Sequence, residues 1–124
     1  MKTLNIILLA IGLLLMTASC TKEEAGITYE VLNPEVLDSR PGDTHIIELV
    51  FTDEDGLSQI FIESKDLGID TLQNFSNNPP YVLRNIEVTI PDSAKAGMFY
   101  SVLLDVSDAK GLRLEENFDI EIIE

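Results

Sequence analysis

From residue 27 onward, apolar and polar residues alternate along short segments that are separated by Gly, Pro, Asn and Asp. A period of two places the apolar side chains of a segment on one face, as in a half-buried β-strand. No segment in this region shows a convincing helical period. The pattern predicts seven strands, over residues 27–31, 45–52, 57–63, 69–72, 82–90, 98–106 and 112–123.

The same alternation predicts which side chains form the core. Seven short strands within residues 27–124 provide enough chain for one domain and favour two sheets packed face to face. We therefore expect an all-β, seven-stranded β-sandwich. The side chains expected in its core are Ile47, Leu49, Phe51, Ile86, Val88, Ile90, Tyr100, Val102, Leu104, Val106, Leu114, Phe118, Ile120 and Ile122.

The first nineteen residues form a different kind of segment. Met1-Lys2-Thr3 is a short cationic tip, and an apolar run from Leu4 to Met16 follows it. This is the layout of a secretory signal peptide. The run is shorter than the roughly 20 apolar residues of a membrane-spanning helix. We expect residues 1–19 to be a cleaved signal peptide and residues 20–26 to be an acidic linker.

Cys20 is the only cysteine of the chain and directly follows the small residues Thr17-Ala18-Ser19. This arrangement resembles the lipobox of bacterial lipoproteins, although Thr17 stands where leucine is commoner. The resemblance implies acylation of Cys20 and an anchor in the bacterial outer membrane, which two acyl chains make stable. The alternative is an uncleaved anchor helix with an incidental thiol.

Lys22, Glu23 and Glu24 stand just behind the cysteine. They resemble the surface-export signal of lipoproteins in Bacteroidetes-type bacteria, and the resemblance implies that the protein faces the cell exterior. A short acidic linker that is merely soluble and disordered is the alternative.

Acidic residues dominate the charge of the chain. There are 22 Asp and Glu against 8 Lys and Arg, a formal charge of −14. Removal of the signal peptide takes away one of these basic residues, Lys2, and makes the charge still more negative. Phosphate groups are bound by basic surfaces, so nucleic acid and anionic lipid head groups are excluded as partners. With a single cysteine, no disulfide can form within the chain, and the core alone must stabilise the fold.

One segment carries a more specific resemblance. Residues 100–111, from Tyr100 to Gly111 and introduced by Ala96-Gly97, resemble the penultimate strand and following turn of bacterial immunoglobulin-like, PKD-type and cadherin-like domains. The resemblance implies an immunoglobulin-like sandwich with Tyr100 at the corner of the strand. With its leader, the chain most resembles the small outer-membrane lipoproteins of Bacteroidetes.

Residues 51–57 and 106–112 share a pattern: apolar, hydroxyl, Asp, two variable residues, Gly, Leu. In such a turn the Asp side chain accepts bonds from backbone amides and the Gly takes a positive φ. An immunoglobulin-type sandwich has both connections at one end, which would bring Asp53, Glu54, Asp55 and Asp108 together. Clustered carboxylates are what Ca²⁺ selects, with Asp53, Asp55 and Asp108 as its ligands. We favour the ordinary structural turn and expect no other cofactor.

Two aromatic residues flank the polar segment 76–80. Phe75 and Tyr81 can form a binding surface on an exposed loop, or they can fold back as a lid on the sandwich, which loop aromatics more often do.

Asp70-Thr71-Leu72 and Asp92-Ser93-Ala94 resemble acceptor sequences for protein O-glycosylation in Bacteroidetes. The resemblance implies modification at Thr71 and Ser93.

Catalysis has little support in the sequence. His45 is the only histidine and has no thiol partner, so nucleophilic and zinc chemistry both lack their usual residues. We expect a lipid-anchored binding or accessory protein that captures glycan or belongs to an envelope complex. The alternative is a structural or adhesive spacer that engages another protein, with calcium as a possible stabiliser.

Overall fold

A computed structural model of the protein describes residues 26–124. The predictions for the signal peptide, the lipidated Cys20 and the export signal Lys22, Glu23 and Glu24 concern residues outside this range. The strands and the core lie within it.

Strands account for most of the regular structure in the described range. One 3-10 helix, Pro34–Leu37, lies between the first two strands. The strands are β1 Thr28–Val31, β2 Asp38–Ser39, β3 Thr44–Thr52, β4 Leu57–Ser64, β5 Ile69–Asn74, β6 Tyr81–Thr89, β7 Phe99–Asp108 and β8 Arg113–Ile122.

The strands form two sheets. The smaller sheet has the order β1-β3-β6, and the larger has the order β2-β8-β7-β4-β5. Neighbouring strands are antiparallel except for β2 and β8, which are parallel. The prediction of an all-β fold with a two-sheet, sandwich-like arrangement is confirmed.

The core lies between the sheets and consists of the side chains that alternation selects. Thirteen of the fourteen predicted core residues are buried, and Leu114 is half-buried and packs against them. Phe51 and Leu49 of the smaller sheet and Leu104 of the larger sheet have no exposed surface. A period of two therefore identifies the inward face of both sheets.

The strand count differs from the prediction because the first connection is more structured than expected. After β1, the side chain of Asn33 donates to the Ile46 carbonyl oxygen at 2.7 Å and accepts from the Glu48 amide at 3.0 Å. Pro34 then starts the 3-10 helix, which carries the chain to the other sheet. There Asp38 and Ser39 pair with β8. Two residues are too few for a periodic pattern, so alternation did not reveal β2.

The glycines of the two predicted turns have the expected positive φ. Gly56 and Gly111 have φ of 95° and 88°. The amide of Gly56 donates to the Asp53 carbonyl at 3.0 Å, and the amide of Gly111 donates to that of Asp108 at 3.2 Å. A left-handed backbone at these positions explains why glycine occupies both.

Among residues 26–124, no helical segment has the length and apolarity that a bilayer crossing requires.

We predict that alanine at Gly56 destabilises the protein more than alanine at Gly111. Both positions have positive φ, which costs alanine roughly 1–2 kcal/mol. At Gly56 the added Cβ also meets Asn78, whose own Cβ lies 2.7 Å away. A Cβ added at Gly111 would meet no atom within 4 Å apart from those of its chain neighbours. Gly56→Ala should therefore lose about 1–3 kcal/mol more in urea unfolding. Equal losses would show that the loop around Asn78 moves aside freely.

Candidate functional site

Three aspartates meet at one end of the sandwich. Asp53 directly follows β3, Asp55 lies in the same turn, and Asp108 is the last residue of β7. One carboxylate oxygen from each lies within 4.8 Å of the other two. Glu54, which the sequence placed near them, is exposed. The structure thus brings together the three residues considered as calcium ligands.

A backbone bond joins the two connections that carry these aspartates. The amide of Ala109 donates to the carbonyl oxygen of Gly56 at 2.8 Å. The Ser58 hydroxyl also donates to the Asp108 carbonyl at 3.1 Å. The loops are therefore held against each other independently of the carboxylates.

The carboxylate of Asp108 has the role expected in a turn. Its Oδ1 accepts bonds from the amides of Lys110 at 2.9 Å and Leu112 at 2.8 Å. Its Oδ2 is buried and makes no hydrogen bond. One oxygen therefore stabilises the turn, and the other is left over.

Asp53 differs from Asp108 although both occupy the same position of the repeated pattern. Its side chain is buried, with 2% of the residue exposed, and neither carboxylate oxygen makes a hydrogen bond. Burial, followed by the neighbouring Asp108 carboxyl, raises the pKa of Asp53 to about 6. The nearby backbone amide of Asp55 offsets only part of this rise. The prediction that the aspartate of each turn accepts bonds from backbone amides is therefore wrong for Asp53, and the structural turn gives its carboxylate no role.

Two further residues border the cluster, and the sequence did not single them out. A Cβ at Gly26 would lie 2.8 Å from Asp53 Oδ1, so a larger residue there would push the carboxylate aside. The Lys110 ammonium lies 3.3 Å from Asp55 Oδ1, and its side chain is 70% exposed. Neither residue shows a periodic or motif signal, because their proximity to the cluster arises from folding.

The two aromatic residues considered for binding have different environments. Phe75 is half-buried and packs against the core, as a lid would. Its amide donates to the Ser58 carbonyl at 2.9 Å. Tyr81 begins β6 and is 60% exposed. The structure therefore separates the pair and leaves only Tyr81 available for contact.

Tyr81 belongs to a larger exposed surface, the outer face of the smaller sheet. We define this outer face by Ile46 and Val50 of β3 and by Tyr81 and Leu83 of β6. The residues that alternate with them along each strand lie on the inward face. Ile46 is 52% exposed and Leu83 is 50% exposed. Val50 pairs with Leu83 across the strands and is itself buried. An apolar surface thus remains uncovered on this side of the molecule.

The structure also places the two candidate glycosylation residues. Thr71 lies within β5, and its hydroxyl is 3.4 Å from the Arg84 guanidinium, which also donates to Gln73. Arg84 thereby links the edges of the two sheets beside a cleft of about 250 Å³. Ser93 lies in an exposed turn after β6. Of the two hydroxyls, that of Ser93 is the more accessible.

His45 lies far from the acidic cluster. It is the second residue of β3, whereas Asp53 follows the last residue of the same strand. Eight residues of strand at about 3.3 Å each separate them by roughly 26 Å. The histidine and the clustered carboxylates cannot act on one substrate atom.

We predict that Phe75→Ala and Tyr81→Ala differ in stability. Loss of the half-buried Phe75 ring should lower the free energy of unfolding by about 2 kcal/mol, because it uncovers part of the core. Loss of the exposed Tyr81 ring should cost less than about 1 kcal/mol, the scale of a strand propensity change. Urea unfolding of both variants measures the difference. A larger loss for Tyr81→Ala would contradict its assignment as an exposed contact residue.

No protein-family model fits the sequence of this chain, and no curated protein matches it.

Proposed function

We propose that the protein is a lipid-anchored, non-catalytic binding module of the bacterial cell surface. In this proposal, Cys20 carries the acyl chains, and Lys22, Glu23 and Glu24 direct export to the exterior. The β-sandwich then presents the outer face of its smaller sheet to another protein of an envelope complex. The observation that carries the binding role is the exposure of Ile46, Tyr81 and Leu83 on that face.

The chemistry of the outer face favours a protein over a glycan as the ligand. Two of its three exposed apolar side chains, Ile46 and Leu83, are aliphatic, and sugars are usually bound by stacking on aromatic rings. Glu48 and Glu87 lie on the same face and are exposed. An apolar surface bordered by carboxylates suits a partner with apolar residues surrounded by basic ones.

We also infer that the sandwich is immunoglobulin-like. The strand order supports this inference, since β1-β3-β6 against β8-β7-β4-β5 corresponds to A-B-E against G-F-C-C′ of such domains. Tyr100 supports it as well, because it is buried near the start of β7, the strand equivalent to F. In this assignment β2 is a short continuation of the first strand on the other sheet.

A non-catalytic role is part of the proposal. Two observations support it: His45 is widely separated from the acidic cluster, and the Arg84 guanidinium beside the cleft is hydrogen-bonded to Gln73.

The alternative of a structural or adhesive spacer has the same anchor. It differs in engaging its partner through strand edges instead of the outer face.

We predict that Cys20→Ala releases the protein from the membrane. Each acyl methylene contributes about 0.8 kcal/mol of membrane binding, so loss of the chains removes stable anchoring. Cell fractionation measures the distribution, and intact mass measures acylation. Ser19→Ala, which keeps a small residue beside the cysteine, serves as the matched control and should stay anchored. A membrane-bound, acylated Cys20→Ala protein would refute the proposed anchor.

We predict that a photo-crosslinking side chain at position 83 forms a defined adduct with one protein in intact cells. The same probe at position 115, an exposed residue of β8 in the other sheet, should not form it. Immunoblotting after irradiation compares the two positions. Identical adducts from both positions, or none from position 83, would contradict binding through the outer face. An adduct from an edge position such as Asp70 alone would favour the spacer alternative.

A further inference from the structure

Unpaired polar atoms are concentrated at the acidic end of the sandwich. Among residues 26–124, four buried side-chain nitrogen or oxygen atoms make no hydrogen bond. Three of the four belong to Asp53 and Asp108, and the fourth is Nε2 of His45 at the other end of β3. Buried polar groups are nearly always hydrogen-bonded, and buried charges are paired or bind a metal. The unpaired oxygens of this cluster therefore need a partner.

The kind of partner follows from the atoms involved. Ionised carboxylate oxygens only accept hydrogen bonds, so those of Asp53 and Asp108 cannot bond to each other. A proton or a cation between them removes this conflict. Asp55 supplies a third oxygen within 4.8 Å of the other two. A proton engages two oxygens, whereas a metal ion engages all three.

We propose that Asp53, Asp55 and Asp108 bind a Ca²⁺ ion at this end of the sandwich. Ca²⁺ bonds to oxygen at about 2.3–2.6 Å, so oxygens within 4.8 Å of one another can reach one ion. The Asp53 carboxylate then acts as a buried ligand, and Oδ2 of Asp108 acts as a second. Asp55, whose side chain is 30% exposed, is the third ligand on the solvent side.

The donor set selects among metals. Three carboxylates without nitrogen or sulfur disfavour zinc, which is held by His and Cys in most sites. Mg²⁺ demands near-ideal octahedral geometry, whereas Ca²⁺ accepts six to eight oxygens in irregular arrangements and completes its shell with water. Three protein carboxylates predict a weak site, with a dissociation constant of about 10⁻⁴–10⁻³ M, as in extracellular modules.

Lys110 sets the strength of this site. Its ammonium lies 3.3 Å from Asp55 Oδ1 and competes with a cation for that oxygen. The side chain is 70% exposed, so it can turn into solvent when the ion binds. The proposed ligands include neither Cys20 nor any residue of the outer face, so the test of the site does not depend on the proposed function.

Thermal unfolding of the full-length chain in detergent tests the site. We compare melting temperatures in chelator, in Ca²⁺ and in Mg²⁺. With Ca²⁺ at about ten times its dissociation constant, linkage predicts a stabilisation of about 1.4 kcal/mol and a rise of roughly 6–11 °C over chelator. Mg²⁺ should give a smaller rise. An unchanged melting temperature in millimolar Ca²⁺ would overturn the proposal.

Asp53→Asn is the decisive variant because the amide keeps the shape of the side chain and removes its charge. In chelator we expect it to melt above the wild type, since one of the like charges is gone. In Ca²⁺ we expect no further rise. Asp66→Asn, an exposed residue of the turn between β4 and β5, is the matched control and should respond to Ca²⁺ as the wild type does. An undiminished Ca²⁺ response in Asp53→Asn would overturn the proposal.

Lys110→Gln provides a test with the opposite sign. Removing the competing ammonium should tighten Ca²⁺ binding roughly two- to fivefold, the scale of an exposed ion pair. Calorimetric titration with Ca²⁺ alone measures the change. Weaker binding in this variant would contradict the position of the ion beside Asp55.

Discussion

The packing of two sheets through their inward apolar side chains is the constraint on which the rest of the molecule depends. Fully burying one large apolar side chain contributes about 1.5–3 kcal/mol, and no disulfide can form within a chain that has one cysteine. Because side chains alternate along a strand, burying one face also determines the other. A slip of one residue would expose Phe51 and bury Glu48, so the core sets the register of every strand.

The same packing creates the acidic cluster. β3 and β7 lie in opposite sheets, and both end at the same end of the sandwich. The two turns that follow are joined by the bond from the Ala109 amide to the Gly56 carbonyl. Asp53 is thereby held beside Asp108 whether or not their charges favour it. By contrast, Asp105 on the larger sheet is paired with the Arg113 guanidinium, which lowers the pKa of that carboxyl.

The two proposed interaction regions share no residue and differ in chemistry. The outer face of the smaller sheet is apolar with bordering carboxylates, which suits a protein partner. The acidic end is small, partly buried and rich in oxygen, which suits a hard cation. An ion there would hold together the ends of β3 and β7, and so would stabilise the sandwich.

The sequence by itself determined seven of the eight strands, their inward faces and the two glycine turns, because alternation and turn chemistry are local properties. It also placed Asp53, Asp55 and Asp108 at one end once a sandwich was assumed. Only the tertiary structure decided that Asp53 is buried without a partner while Asp108 stabilises its turn, since the two share one sequence pattern. The tertiary structure also decided that β2 pairs with β8, and that Gly26 and Lys110 lie beside the acidic cluster. Their roles come from residues distant in the chain, and burial and proximity of that kind leave no local pattern.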